Sequence, residues 1–483
     1  MTKRFLHDIL SYFLHGKARD ISRDFALHVR TTGVDTESLP KDWGEREKGV
    51  GKMKNMKQTL VIAGVIALAP TLAAPQAGFP VPFVSTAEAH ILSSDAERDI
   101  GMEAVQEFES KYETYVDEAL LTIQNRLVVC NPDKLNMEDG AHTRWLYPIK
   151  AVKDNVPNAV MFPAGHAYYN DGMVKFLNTR MNDGFLDHGD LRPMNGANIY
   201  NTSAVAFVMG HEFGHWAGED FLESYDKQFG VSTLLGIFGG GATSAIGVAA
   251  QNLGVNLVDT LVDRQMSFNQ EKGADVWGVQ FIENVPEYSI GGALMKFDRY
   301  MKLEQIDHPD GKLPVDFRNP HSKTPKRFER VMDYVKKSSE GRVEIKEGEL
   351  YLDGTHIPVV RTGEVEQLER VYYIAGQLAT AIKKGIFHRV NISYIPVASH
   401  PSAGDPASKD SYIVVRDRNT GAEKILDKLR FDTRSAAMED YAASEDADAH
   451  ADYEEAKAIA DAAAAYDEKH PKRPLNVKGG TEK

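Results

Sequence analysis

The chain is poor in cysteine: Cys130 is the only one among its 483 residues. An intramolecular disulfide and a thiolate zinc ribbon are therefore excluded. Any metal must be held by His, Asp or Glu. Basic charge is also short, with 56 Lys and Arg against 70 Asp and Glu, a formal net charge of −14. That balance argues against a nucleic-acid binder driven by phosphate contacts and favours a protein that repels anionic surfaces. There is no internal repeat. Hydrophobic residues at 42% and charged residues at 26% make an ordinary globular mixture, neither disordered nor fibrous.

One apolar run stands out, from Thr59 to Pro70, preceded by Lys52, Lys54 and Lys57. A short basic stretch, an apolar stretch of about 7–15 residues and a small-residue site make a secretory signal. Ala87-Glu88-Ala89 fits the cleavage site, with His90 as the first mature residue. The expected location is therefore periplasmic or extracellular. The run falls short of the roughly 20 residues of a membrane span. An uncleaved anchor reaching to Val84, which would keep the protein membrane-associated, is the alternative. No cysteine follows the run, so a lipoprotein is excluded. Residues 1–52 read as an N-terminal extension or a mis-assigned start, since Met53 or Met56 would open an ordinary signal over 53–89.

Apolar spacing predicts a helix from about Ser93 to Asn131, then short strands over 145–152, 159–162 and 167–170. Further helices are expected at 202–217, 267–284, 288–304 and 325–336, with a Gly- and Ala-rich helical pair over 231–262. After Gly341 the texture changes. A hairpin over 342–357 turning at Asp353-Gly354, a helix over 364–385 and strands at 390–397, 412–416 and 423–431 read as a second, smaller domain. From Ser435 to Lys469, eleven acidic residues stand against two lysines, which reads as a solvated helix or a disordered tail. The expected fold class is α+β: a mainly helical domain with a small sheet over 90–340, an α+β domain over 341–434 and an acidic tail over 435–483.

The sharp signal is His211-Glu212-Phe213-Gly214-His215. On a helix, histidines four apart project from one face and can share one Zn²⁺, with Glu212 beside them as general base. The apolar residues Val205 to Met209 before it place the pair on a buried helix, where two histidines and a glutamate need a partner. A catalytic zinc also needs a third protein ligand and an open position for water. Glu271, 56 residues after His215, is the candidate by spacing; the plain alternative is an exposed helix acid beside Lys272. Asp275 shares its helical face and can orient a ligand histidine from outside the metal's own shell.

At these residues the chain resembles the zinc metallopeptidases of the HtpX, prenyl-endopeptidase and OMA type, the M-48 family of gluzincins. The resemblance runs from about Ile91 to Lys336. It rests on Leu92 to Gly101, on Asn158-Ala159-Val160-Met161-Phe162-Pro163-Ala164-Gly165, on the His211–His215 motif, on Glu271 to Gly278, and on Pro320-His321-Ser322 to Arg327. Val160, Ala164 and Ser322 depart from the family pattern. The resemblance implies that Glu271 is the third ligand of one zinc per chain, and that Asn158, Ala159 and Gly165 belong to a strand and turn against which a peptide lies. His321 is the first candidate for oxyanion donor and Tyr288 the second. Arg327 and Arg330 tie the His321 loop down by pairing with acids, and His166 is a rim residue, not a ligand.

The expected activity is zinc-dependent hydrolysis of extended or misfolded polypeptides, in the setting of envelope quality control. The rival is a zinc-dependent binding or chaperone-like module with incidental hydrolysis; an intact Glu212 favours the enzyme, because a binder needs no general base. If Ala89 ends the signal, N-terminal sequencing of exported protein reads His90 first, whereas Thr2 on exported material overturns both the signal and the mis-assigned start.

Overall fold

The structure is a computed structural model that describes residues 94–135, 146–178, 199–224, 267–307, 324–361, 365–401, 404–434 and 436–470. The signal segment, the Gly- and Ala-rich stretch 231–262 and the His321 loop lie outside the described residues. No helix of the described residues is long and apolar enough to cross a membrane.

The expected helix over 93–131 is two helices, α1 (Ser94–Lys111) and α2 (Glu118–Cys130). Between them Thr114 and Tyr115 form β1, paired with Val152 and Ala151. The Asp117 side chain then accepts from the Leu120 amide and starts α2 afresh. Helical periodicity on both sides hid this break, because β1 is only two residues long. Strands β2 (Lys150–Val152), β3 (Ala159–Phe162) and β4 (His166–Asn170) complete a four-stranded sheet in the order β1-β2-β4-β3. β2 and β4 run parallel, and β3 forms one edge, antiparallel to β4. The β3–β4 turn needs left-handed backbone at Ala164 (φ 64°) and Gly165 (φ 86°).

Alternation along β4 sets the two layers. Tyr168 joins Phe108, Val105 and Phe162 in a small core beneath α1. Tyr169 faces the main core with α3 (Asp171–Asn178) and α4 (Ile199–Ala217). Every residue of α4 from Val205 to Trp216 is buried. A helix apolar on all sides must be a central one. α5 (Phe268–Glu283), α6 (Gly291–Asp307) and α7 (Thr324–Ser338) complete its surroundings.

Beyond Gly341, β5 (Val343–Lys346), β6 (Glu349–Leu352) and β7 (Thr355–Ile357) form a three-stranded meander, one strand more than the expected hairpin. Its extra turn is at Glu347-Gly348, where both residues have positive φ (53° and 84°), as both do at Asp353-Gly354. α8 (Gln367–Lys383) precedes an antiparallel sheet of β8 (Ile392–Pro396), β9 (Ser411–Arg416) and β10 (Glu423–Leu429).

This smaller α+β part shares its buried core with the helical part. One buried cluster runs without a seam from Leu120 through Phe207, Phe297 and Tyr373 to Ile459. Lys424, fully buried on β10, donates to the carbonyls of Val285 (2.7 Å), Tyr288 (2.8 Å) and Glu283 (3.3 Å) just past α5. The Tyr373 hydroxyl on α8 donates to the Glu287 carbonyl at 3.0 Å.

Of the two alternatives for the acidic tail, the structure shows the helix: over Ala447–Lys469 it is α9, capped by Asp446, and it is docked on the body and not fully solvated. Asp452, Glu455 and β10's Asp427 are fully buried. Arg370 of α8 reaches all three, at 3.3 Å to Asp452, 2.9 Å to Glu455 and in close contact with Asp427. Arg430 adds a second cation, 2.9 Å from Asp452. Tyr200, in the first turn of α4, donates to Asp427 at 2.6 Å. The acids on one stripe of the helix are thus the buried ones, which composition alone could not distinguish from a solvated face.

Two outcomes follow from a single core. Ending the chain after Gly341 strips the cover from Val371, Leu378 and Ile374 contacts on the body, so that product is expected to be aggregated and metal-free; a soluble, cooperatively unfolding truncation would overturn the reading. Arg370→Met leaves three buried carboxylates with Arg430 alone, and urea unfolding should show a loss of about 3–5 kcal/mol.

Candidate metal centre

The centre is made where α4 and α5 cross, and glycine lets them cross closely. A β-carbon on Gly214 would stand 2.9 Å from the Ala274 carbonyl and the Trp277 side chain. One on Gly278 would stand 3.0 Å from the His211 amide. Larger residues at either place would push the helices apart. With the backbones in contact, Glu271 and Asp275 on α5 come level with His215 and His211 on α4.

The start of α5 is fixed by a capping box. Ser267 accepts from the Gln270 amide and Gln270 reaches back to the Ser267 amide. The same Gln270 side chain donates to the Asp220 carbonyl at 3.0 Å. The cap therefore anchors both Glu271, one residue on, and the segment just after α4.

His211, His215 and Glu271 are buried, and one donor atom from each lies within 4.8 Å of the others. The Nε2 atoms of the histidines are 3.1 Å apart. Glu271 stands 3.6 Å from His211 Nε2 and 3.5 Å from His215 Nε2. Tetrahedral zinc with nitrogen and oxygen ligands at its usual bond lengths puts its donors about 3.4 Å apart. The observed separations, 3.1 Å between the nitrogens and 3.5–3.6 Å to the two Glu271 oxygens, lie on either side of that spacing.

The far ring nitrogens point the same way chemically. His215 Nδ1 lies 2.7 Å from Asp220 Oδ2, and His211 Nδ1 lies 3.2 Å from Asp275 Oδ1. Carboxylates there keep the protons on Nδ1 and turn both Nε2 lone pairs toward one another. Two nitrogens so placed call for a cation between them, a shared proton or a metal ion. Burial opposes charge on His215, but hydrogen bonds to Asp220 and Glu271 outweigh it and raise it to about 10, while burial takes His211 down to about 3.

Arg327 closes the cage from outside. It is 1% exposed, and it donates to Asp275 through Nε (3.0 Å) and a terminal nitrogen (2.5 Å). Its other terminal nitrogen is 3.2 Å from Glu271. Arg330 adds a bond to Asp275 at 3.2 Å. Facing Arg327 outweighs burial at Asp275 and holds its carboxyl well below the ordinary range. Glu212 is buried too, yet it makes no hydrogen bond or ion pair among the described residues. Burial lifts its carboxyl to about 7.

The sequence-predicted residues thus divide. His211, His215, Glu271, Glu212, Asp275 and Arg327 come together. Ala159 opens β3 at the sheet edge, opposite Tyr169; the Asn158 carbonyl accepts from the Asn170 amide at 3.0 Å, and the Gly165 carbonyl from the Tyr147 amide at 2.9 Å. His166 stacks on Tyr147 with ring centres 3.9 Å apart, away from the cage. His321 lies outside the described residues. Tyr288 is not brought to the centre. It follows the C-terminal end of α5, about 18 Å of helix from Glu271, and the charged groups facing its hydroxyl are Glu287, Arg126 and Cys130. Sequence reasoning missed Asp220, although its place five residues after His215 is the available signal.

Replacing Asp220 by Ala frees the His215 ring to turn, so zinc affinity should fall about 10–100-fold in competition with a chromophoric chelator. Glu271→Ala removes a donor outright and should leave the purified protein without stoichiometric zinc by elemental analysis.

The chain matches no curated protein. Residues 130–335 match the family model for Peptidase family M48. That span begins at the end of α2 and closes within α7, taking in the whole cage. The match covers less than half of the chain, and it supports a peptidase domain of the M48 type at these residues, a family of zinc metallopeptidases.

Proposed function

We propose that the protein is an exported zinc endopeptidase that hydrolyses extended or misfolded polypeptides, with Glu212 as general base, in the service of envelope protein quality control. The observation that carries this reading is the arrangement of the cage: three donors near zinc spacing, both histidine rings held by carboxylates on their far nitrogens, and a fourth acid, Glu212, with no partner among the described residues beside them.

A zinc ion held by His211, His215 and Glu271 supplies a Lewis acid that acidifies water and polarises the scissile carbonyl. The rest is done by the chain's own groups. Asp220 and Asp275 hold the two rings in the tautomer that presents Nε2. Arg327 offsets the negative charge of Glu271 and Asp275, so that three acids can share one buried place. Glu212 accepts the proton of the attacking water and delivers it to the leaving amine. Among the described residues the β3 edge is paired on one side only, by β4, and an extended peptide can add there as a further strand. That geometry favours unfolded segments over folded surfaces.

Glu212→Gln keeps the size and helix preference of the side chain and removes the proton acceptor. It should keep stoichiometric zinc and an unchanged thermal transition, and lose casein hydrolysis by at least about 100-fold. Cleavage at the parent rate rejects Glu212 as the base. A zinc-loaded parent that cleaves nothing, yet retains unfolded chains as well as the variant does, favours the binding-module reading instead.

A further inference from the structure

Helix α1 turns one stripe inward at helical spacing: Glu97, Gly101, Ala104, Val105 and Phe108 are all buried. The later residues of that stripe, with Ile100, pack with Phe162, Tyr168 and Leu222 in the small core. The first two, Glu97 and Gly101, lie against the turn that joins β3 to β4.

At Gly101 the approach is backbone on backbone. A β-carbon there would run into the Pro163 carbonyl oxygen, and it would stand 2.9 Å from the carbonyl carbon and 3.0 Å from the Ala164 β-carbon. One helical turn earlier, Glu97 is 2% exposed, and its carboxylate accepts from the Ala164 amide at 3.4 Å. Helix positions four apart face the same way. The two residues thus hold two consecutive residues of the turn.

The turn needs such support. Ala164 has φ 64°, left-handed backbone that a β-carbon disfavours, and Gly165 follows at φ 86°. The Gly165 carbonyl accepts from the Tyr147 amide, and His166 stacks on the Tyr147 ring. The turn is therefore held by residue 147 as well as by α1. It begins directly after Phe162, so a shift of Pro163 moves the end of the β3 edge. Both β3 and the turn pack on α4, the helix of His211 and His215. The small core also includes Leu222, two residues beyond Asp220, whose carboxylate holds the His215 ring.

We propose that Glu97 and Gly101 are positioning residues for the substrate: they fix the β3–β4 turn and so set where the β3 edge lies against α4. The inference rests on the peptidase reading, in which an extended peptide adds to β3. Neither residue belongs to the metal cage. They act on the place of the peptide backbone and leave the zinc donors and Glu212 alone. The helix cannot back away from a side chain at 101, because Ile100, Ala104, Val105 and Phe108 hold it in the small core. An added methyl displaces the turn instead.

Gly101→Ala is the first test. Within a helix this exchange is favourable by itself, so a loss reports the contact with the turn. For a fluorogenic extended peptide, KM should rise at least about tenfold while kcat stays within about twofold of the parent. Zinc should remain stoichiometric by elemental analysis. Adding Gly101→Ala to zinc-loaded Glu212→Gln protein should weaken binding of the same peptide equally in fluorescence anisotropy. Glu97→Ala should raise KM about threefold or more, the scale of one lost hydrogen bond. Glu97→Gln retains an oxygen acceptor and should keep the parent KM. An unchanged KM in Gly101→Ala overturns the inference, and so does a joint loss of kcat and zinc, which marks α1 as merely structural. A Glu97→Gln variant as impaired as Glu97→Ala also overturns it. If Gly101→Ala fails to fold, the Glu97 pair decides alone. A zinc-loaded parent that neither cleaves nor binds extended peptide rejects the peptidase reading and this inference with it. A parent that does both, beside variants with its own KM, rejects this inference only.

Discussion

The approach of α4 to α5 is the constraint on which the rest depends. Zinc donors must lie within a few ångströms of a common point, and two helices with ordinary side chains between them sit about 8–10 Å apart. Gly214 and Gly278 remove the side chains at the crossing, so that Glu271 can reach between two histidines of the opposite helix. The capping box at Ser267 and Gln270 then sets where along its axis α5 begins. Close contact fixes the separation and the cap fixes the register. The metal site is the point where both are satisfied.

Charge is the second constraint, and it is met in shells. Three histidine or glutamate donors form the inner layer, Asp220 and Asp275 the next, and Arg327 with Arg330 the layer beyond. Each layer sets charge or a hydrogen bond against the one inside it. Buried acids are tolerable only under that condition. The arrangement also explains why Glu212 stands out: it is the acid in the cluster that no outer layer holds.

Much of this was legible in the sequence, for identifiable reasons. The apolar flank of the histidine motif gave away a buried helix, and the fourfold spacing put both rings on one side of it. Spacing left Glu271 open and the family resemblance singled it out; Asp275 was then readable because a helical face repeats every four residues. Tyr288 was misplaced because a role can be named from chemistry while its distance along a helix decides whether it can be filled. Asp220 went unread because its work depends on a turn after α4, and turns leave weaker periodic marks than helices do. The C-terminal part was read as a separate domain from its change of texture. Lys424 shows what texture conceals: one buried ammonium on a strand satisfies three carbonyls at the far end of α5 and joins the two parts.

The Tyr200–Asp427 hydrogen bond links the first turn of the histidine-bearing helix to a strand 227 residues further along the chain. Arg370 extends that link to Asp452 on α9. Contacts so distant in sequence form late, because their loops must close before any of them is rewarded. A chain synthesised from its N-terminus therefore brings out its histidines long before the residues that fasten their helix. The histidine-bearing helix remains without its full support until α9 has been made. Synthesis of α9 thus acts as a timer on the assembly of the metal centre.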